Sequence, residues 1–218
     1  MADIQESTDV LNKLFNAYET FAGEYANACS EGCVVCCTRN VTLTGLEGWN
    51  ILSGITGEKK SEKKSEVLDR IQSDIEKKRL IPQTTINQMA KLCMEGKEVS
   101  DEISDPDWGS CPLLEDNRCM IYEVRPFACR CMVSRLKCET SGFADMDDFI
   151  ITLNNVFMQY IEHIDIGGSY GNLTDILLSE GREGNSENLI TNTGVELLMV
   201  PPEHQSRIKE VIAALQSI

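Results

Sequence analysis

Apolar residues recur at three- and four-residue steps through Val10, Leu11, Leu14, Phe15, Tyr18, Phe21, Ala22 and Tyr25, the period of a helix with one buried face. The spacing predicts that this helix ends at Cys29, four residues beyond Tyr25, where Gly32 helps the chain turn towards Cys33. Thr44 followed by Glu47 has capping-box spacing and predicts a second helix to about Leu52, with Cys33 to Cys37 in the loop between the two. From Gly57 to Glu66 the run of Glu, Lys and Ser is too polar to bury and marks a boundary or an insertion, although its alternating charges also suit an exposed helix start. Val67, Ile71 and Ile75 then predict one amphipathic helix, and Ile86, Met89 and Cys93 another before Gly96. Residues 100–110, with Pro106, Trp108 and Gly109, read as an extended loop that delivers the chain to Cys111.

The clearest stripe comes later: Met146, Phe149, Ile150, Leu153, Val156, Phe157, Tyr160, Ile161 and Ile164, stopped by Gly167 and Gly168. Asn172 to Glu180 predicts a short helix ended by Gly181, and Pro202 to Ile218 a terminal one with Ile208, Val211, Ile212 and Leu215 inward. Val195 to Val200 is the only good strand candidate. The expected architecture is mainly α: one irregular helical domain over 1–218 with long loops organised around a cysteine-ligated metal centre. It includes a helical excursion at about 57–100 and a C-terminal helical part at about 145–218.

Composition narrows the class. A chain of 218 residues can bury a core without staples, so its ten cysteines are not needed to hold it together. The first ten residues carry Asp3, Glu6 and Asp9 and lack the pattern of a secretory signal, and no run approaches the ~20 apolar residues of a membrane span. The expectation is a cytoplasmic protein, where reduced cysteines serve metal ligation or redox chemistry. A net charge of -15 argues against nucleic acid or a membrane surface as partner, and leaves any protein or small-molecule partner unread. Against that global sign, Arg39 follows the first cysteine group, while Arg118, Arg125, Arg130, Arg135 and Lys137 crowd the second. Two readings stand side by side: compensation of a negative thiolate cluster or anionic ligand, and a solvated rim shared with Glu115, Asp116, Glu123 and Glu139.

A metal site needs several thiolates within about 2.3 Å of one metal, brought together from tight turns in distant segments. Cys29, Cys33, Cys36 and Cys37 supply one such group, and Cys111, Cys119, Cys129, Cys131 and Cys138 the other. Successive side chains diverge, so adjacent Cys36 and Cys37 are expected to serve two centres, or one to ligate while the other does different work. The two groups are expected to meet at a metal-bearing centre packed under the Met146 to Ile164 helix, and eight thiols leave open two four-thiolate sites or one site with spare thiols.

The run Cys111-Pro112-Leu113-Leu114, then Asp116-Asn117-Arg118-Cys119 and Ile121-Tyr122, then Arg125-Pro126 and Cys129-Arg130, together with the first cysteine group, resembles the YkgJ-type cysteine-cluster family. These are zinc- or iron-chelating domains that include flagellin lysine N-methylases. The resemblance implies a bound metal centre, often a [4Fe–4S] cluster. By position Cys29, Cys33, Cys36, Cys37, Cys111, Cys119 and Cys129 match the motif, Cys138 matches less tightly, and Cys131 is an extra. Cys93, on an apolar helical face, is expected to be a buried structural thiol. Pro112, Arg125 and Pro126 read as rigidifying or tying loops, His204 as exposed, and His163 as a lone helical histidine rather than a ligand. The Cys29-x3-Cys33-x2-Cys36 spacing matches the radical S-adenosylmethionine signature, but it follows a helix, lacks the usual aromatic at Val35, and sits in a chain with no alternating strand and helix pattern. Three expectations remain: an iron–sulfur protein in a redox, sensing or enzyme-supporting role; a structural zinc module built on the Cys33-x2-Cys36 knuckle; and an S-adenosylmethionine-dependent lysine N-methylase, for which no glycine-rich fingerprint follows a strand.

Overall fold

The computed structural model describes residues 4–25, 27–30, 32–57, 59–99, 102–182 and 187–218. About 50% of the chain is helical and its strands are few and short, so the mainly α expectation holds. In chain order the elements are α1 (Ile4–Ala22), β1 (Thr42–Thr44), α2 (Gly45–Gly54), α3 (Lys60–Asp74), α4 (Ile86–Met94), β2 (Leu114–Glu115), β3 (Arg118–Cys119), α5 (Phe127–Arg130), α6 (Cys138–Ser141), α7 (Asp148–Ile164), β4 (Ser169–Asn172), α8 (Leu173–Gly181), β5 (Ile190–Thr191) and α9 (Ile208–Leu215). The polar run before Val67 is the first half of α3, exposed as its composition requires.

Two apolar cores form. In the first, α7 packs on α1, with α9 also against α1; Phe157 lies against Tyr18 edge-on at 5.3 Å and stacks on Phe127 at 6.0 Å. The second gathers α2, α3 and α8 around Ile51, Ile71, Ile176 and Leu177, with Leu113 and Ile121 of the second cysteine segment inserted into it. Phe127 in the first core and Leu113 in the second are each at most 1% exposed. The second cysteine segment is thus pinned to both cores by its own apolar side chains, with the cysteines carried between them.

The predicted strand at Val195 to Val200 does not form. Its backbone instead docks on the Gln159 side chain, which donates to Leu197 O (2.7 Å) and accepts from Met199 N (2.8 Å), so a buried amide takes the place of a strand partner. The sheet that does form is antiparallel in the order β1-β4-β5, pairing Leu43 with Gly171 and Tyr170 with Ile190. Cys93 also departs from expectation: it is exposed, because α4 turns Asn87 and Ala90 inward. Asn87 Nδ2 donates to Gln159 O and to Thr193 O at 3.0 Å each, while its backbone N–H reaches Glu162. These buried hydrogen bonds fix the helix face that packs. No helix among the described residues is long and apolar enough to cross a membrane.

Candidate metal centre

The loop after α1 runs from the end of the helix at Ala22, seven residues short of Cys29, into a turn in which Cys37 N–H donates to Val34 O (3.0 Å) and Thr38 N–H to Cys36 O (2.9 Å). Backbone pairing then zips this loop to the second group. Cys111 N–H donates to Cys37 O (2.9 Å), Arg39 N–H to Gly109 O (3.2 Å), and Thr38 bridges Ser110. Arg39 locks the junction: Nε and Nη2 hold Asp74 at 2.7 and 2.8 Å, and Nη1 donates to Trp108 O at 2.9 Å. Gly109 has φ +118, and a side chain there would strike the Arg39 guanidinium, so glycine is required on both counts. Burial alone works against the Asp74 carboxylate, but hydrogen bonds from Arg39 and Lys77 outweigh it and hold Asp74 below the usual carboxylate range.

Cys119 is placed by the β2–β3 hairpin, where Leu114 faces Cys119 across a turn made by Asp116 and Asn117, both at positive φ. Cys129 lies on α5, whose first N–H, on Phe127, donates to Glu47 Oε1 at 2.8 Å. The expected capping box is present, with Glu47 N–H on Thr44 Oγ1 (3.2 Å) and Thr44 N–H on Glu47 Oε2 (2.9 Å). Its carboxylate therefore caps two helices, one of them carrying a cysteine. Burial pushes the Glu47 pKa up, opposed by these same donors.

Seven of the eight predicted ligands, Cys29, Cys33, Cys36, Cys37, Cys111, Cys119 and Cys129, line one cavity of about 400 Å³ between the two cores. Cys138, at the first position of α6, is half-buried outside that lining, and Cys131 lies in the first core at 6% exposed, its thiol against Ala128 O (3.5 Å). No α7 residue reaches the cavity, correcting the expected position beneath that helix, because Phe127 and Cys131 fill the intervening space. Adjacent Cys36 and Cys37 both line the cavity, on the turn that the Cys37 N–H closes on Val34 O. Among the described residues no three thiols, imidazoles or carboxylates close tightly enough on one point to hold a single ion; the sulfurs instead ring a space.

The electrostatics of that space are set by burial. It pushes the Cys111 thiol up to about 11 and Cys129 well up, with neighbouring cysteine charges adding to both, and it also raises Cys119. The Cys37 hydrogen bond draws Cys36 down to about 6, with the reverse effect on Cys37. Neutral thiols suit an apolar wall of Ile121, Leu173 and Val41, and any metal they take up must displace their protons. Of the basic residues crowding the motif, Arg125 and Arg130 face the cavity. Arg130 is tied to Glu19 (2.8 Å), whereas Arg125 stacks over Tyr122 at 4.0 Å and has no carboxylate within ion-pair range among the described residues. Arg135 is paired with Asp145, and Arg118 and Lys137 lie in solvent, so the two readings of the basic excess divide residue by residue.

The donor set fits a thiophilic centre. Among the described residues lining the cavity there are thiols but neither imidazoles nor carboxylates, a combination that suits iron–sulfur clusters and zinc rather than calcium or magnesium. His163 is exposed and accepts from Val195 N–H (3.3 Å). His204, expected to be exposed, is half-buried, bonded to Thr152 Oγ1 (2.8 Å) and edge-on to Phe149. Both lie outside the site. Sequence reasoning missed Glu47 as a second cap and Arg39–Asp74 as a clamp, since each acts across a long sequence gap. No protein-family model, curated protein or solved structure matches the chain.

Proposed function

We propose that this is a metal-binding protein that holds an iron–sulfur cluster, [4Fe–4S] in type, between its two cysteine groups, in a redox, sensing or enzyme-supporting role. The observation that carries the reading is the convergence of seven motif thiols, from segments more than seventy residues apart, on one cavity. A cavity of about 400 Å³ ringed by sulfur suits a polynuclear cluster more naturally than one ion, which four thiolates grip at about 2.3 Å. Arg125 and Arg130 at the wall offset the negative charge that four thiolates confer, and the apolar side chains exclude solvent, two factors that set the potential of such a cluster. When bound, the cluster supplies one-electron chemistry. The resemblance of the cysteine spacing to the YkgJ-type family adds to this reading on those residues alone. A reducing cytoplasm suits it, since all ten cysteines are free thiols.

Protein purified under strict anaerobiosis is expected to be brown, to bleach with dithionite, and to contain iron and acid-labile sulfide in equal amounts. Full occupancy by zinc in that preparation would replace the cluster with a structural zinc module.

A further inference from the structure

Six arginines among the described residues are half-buried, and five of them hold a carboxylate: Arg39, Arg70, Arg79, Arg130 and Arg182. In two of these the contact is bidentate. Arg39 grips Asp74 through Nε (2.7 Å) and Nη2 (2.8 Å), and Arg79 grips Asp175 through the same two atoms at 2.8 Å each. Arg125 is the sixth. Its Nη1 donates to Tyr122 O (2.8 Å) and its guanidinium lies 4.0 Å over the Tyr122 ring, but Nε and Nη2 have no acceptor among the described residues. The edge that takes a carboxylate elsewhere in this chain is therefore free on a side chain that lines the cysteine cavity.

The guanidinium is fixed before any ligand arrives. Besides its contacts with Tyr122, its backbone is held on both sides: Arg125 O accepts from Arg130 Nε (2.9 Å), and the buried Pro126 follows. The other cation at the wall has nothing to spare, since Arg130 donates through Nε to Arg125 O, through Nη1 to Glu19 and through Nη2 to Glu123 O. One free fork without a second free cation matches a single carboxylate, whereas a phosphate dianion asks for more donors. Offsetting the charge of bound thiolates acts through space and leaves the fork open. With apolar walls, one placed charge and a volume of about 400 Å³, the cavity has the make-up of a small-molecule site.

We propose that the cavity also takes a small organic carboxylate, its apolar body against Val41, Ile121 and Leu173 and its carboxylate on Nε and Nη2 of Arg125. This rests on the iron–sulfur reading of the same cavity, and it names the chemical class of what such a cluster acts on or senses.

The test compares phenylacetate with its uncharged amide, phenylacetamide, as probes of anaerobically purified protein, by ligand-observed NMR with iron and sulfide assayed on the same samples. Wild type is expected to bind the carboxylate about tenfold or more tighter than the amide. Arg125→Gln should bind the two alike. Arg125→Lys, which keeps the charge but not the fork, should hold its iron and lose most of the preference. Arg118→Gln, changed at a solvent-exposed arginine of the same segment, should match wild type. A wild type that binds both probes alike or neither, or an Arg125→Gln or Arg125→Lys chain that keeps the full preference, overturns the carboxylate site and leaves the iron–sulfur reading standing. The wild-type comparison decides the matter even where a variant does not fold or sheds its iron. A wild type without iron overturns both.

Discussion

The first apolar core and the cysteine seam beside it are built on opposite principles. In the core, α1, α7 and α9 bring long apolar faces together, with Leu11, Leu153, Val156 and Phe157 at 0% exposed, and stability comes from area removed from water. In the seam, the described residues within 27–41 and 109–138 form helices of no more than four residues and two-residue strands, and what holds them is a set of discrete tethers: Arg39 on Asp74, Glu47 on Phe127, Cys111 on Cys37. A core of the first kind needs only the right pattern of apolar residues. A seam of the second kind keeps thiols half-buried and adjustable, and leaves to a bound metal the closing of the site.

The largest effect is expected from breaking the core. Phe157→Ala removes a fully buried ring that meets Tyr18 edge-on and stacks on Phe127, and should cost about 3–5 kcal/mol in denaturant unfolding, lowering the stability of α1, α7 and the seam together. Arg39→Met should act locally. It leaves Asp74 with Lys77 alone, costs roughly 3 kcal/mol, and raises hydrogen exchange at residues 37–41 and 105–111 while α7 keeps its protection. The smallest effect is a pH dependence that belongs to neither region. Asp165 caps α2 through Leu46 N–H (3.1 Å) and binds Asn192 (2.8 Å), and burial lifts its pKa from 3.8 to about 6 despite those donors. The folded state therefore favours the protonated acid: its contribution is complete below about pH 4 and is lost as pH rises through about 6. Asp165→Asn should remove that slope, so the stability change between pH 5 and pH 7.5 should differ from wild type by about 1–2 kcal/mol after solvent screening. An identical slope in both proteins would show that another group sets it.

Legibility in the sequence follows the same division. The Met146 to Ile164 stripe and the Thr44–Glu47 capping box are local signals, and both survive almost to the residue in α7 and α2. The sheet was illegible because its strands have two to four residues, too few to display alternation, and β1 meets β4 across more than 120 residues. Val195 to Val200 is a short, mostly apolar run, yet its backbone partner is the Gln159 side chain. At the site, cysteine spacing named the thiols that line the cavity. The clamp of Arg39, the second cap of Glu47 and the outward place of Cys138 depend on contacts between distant segments and carry no local pattern.

The central claim is that one metal-bearing seam joins the two cysteine groups while the helical core stands by itself. Hydrogen exchange on anaerobically purified protein, before and after metal removal by a chelator, tests it most directly. The account predicts that protection falls together across residues 29–41 and 109–138, with α1 and α7 unchanged. Loss confined to one cysteine group, or no change in either, would contradict it.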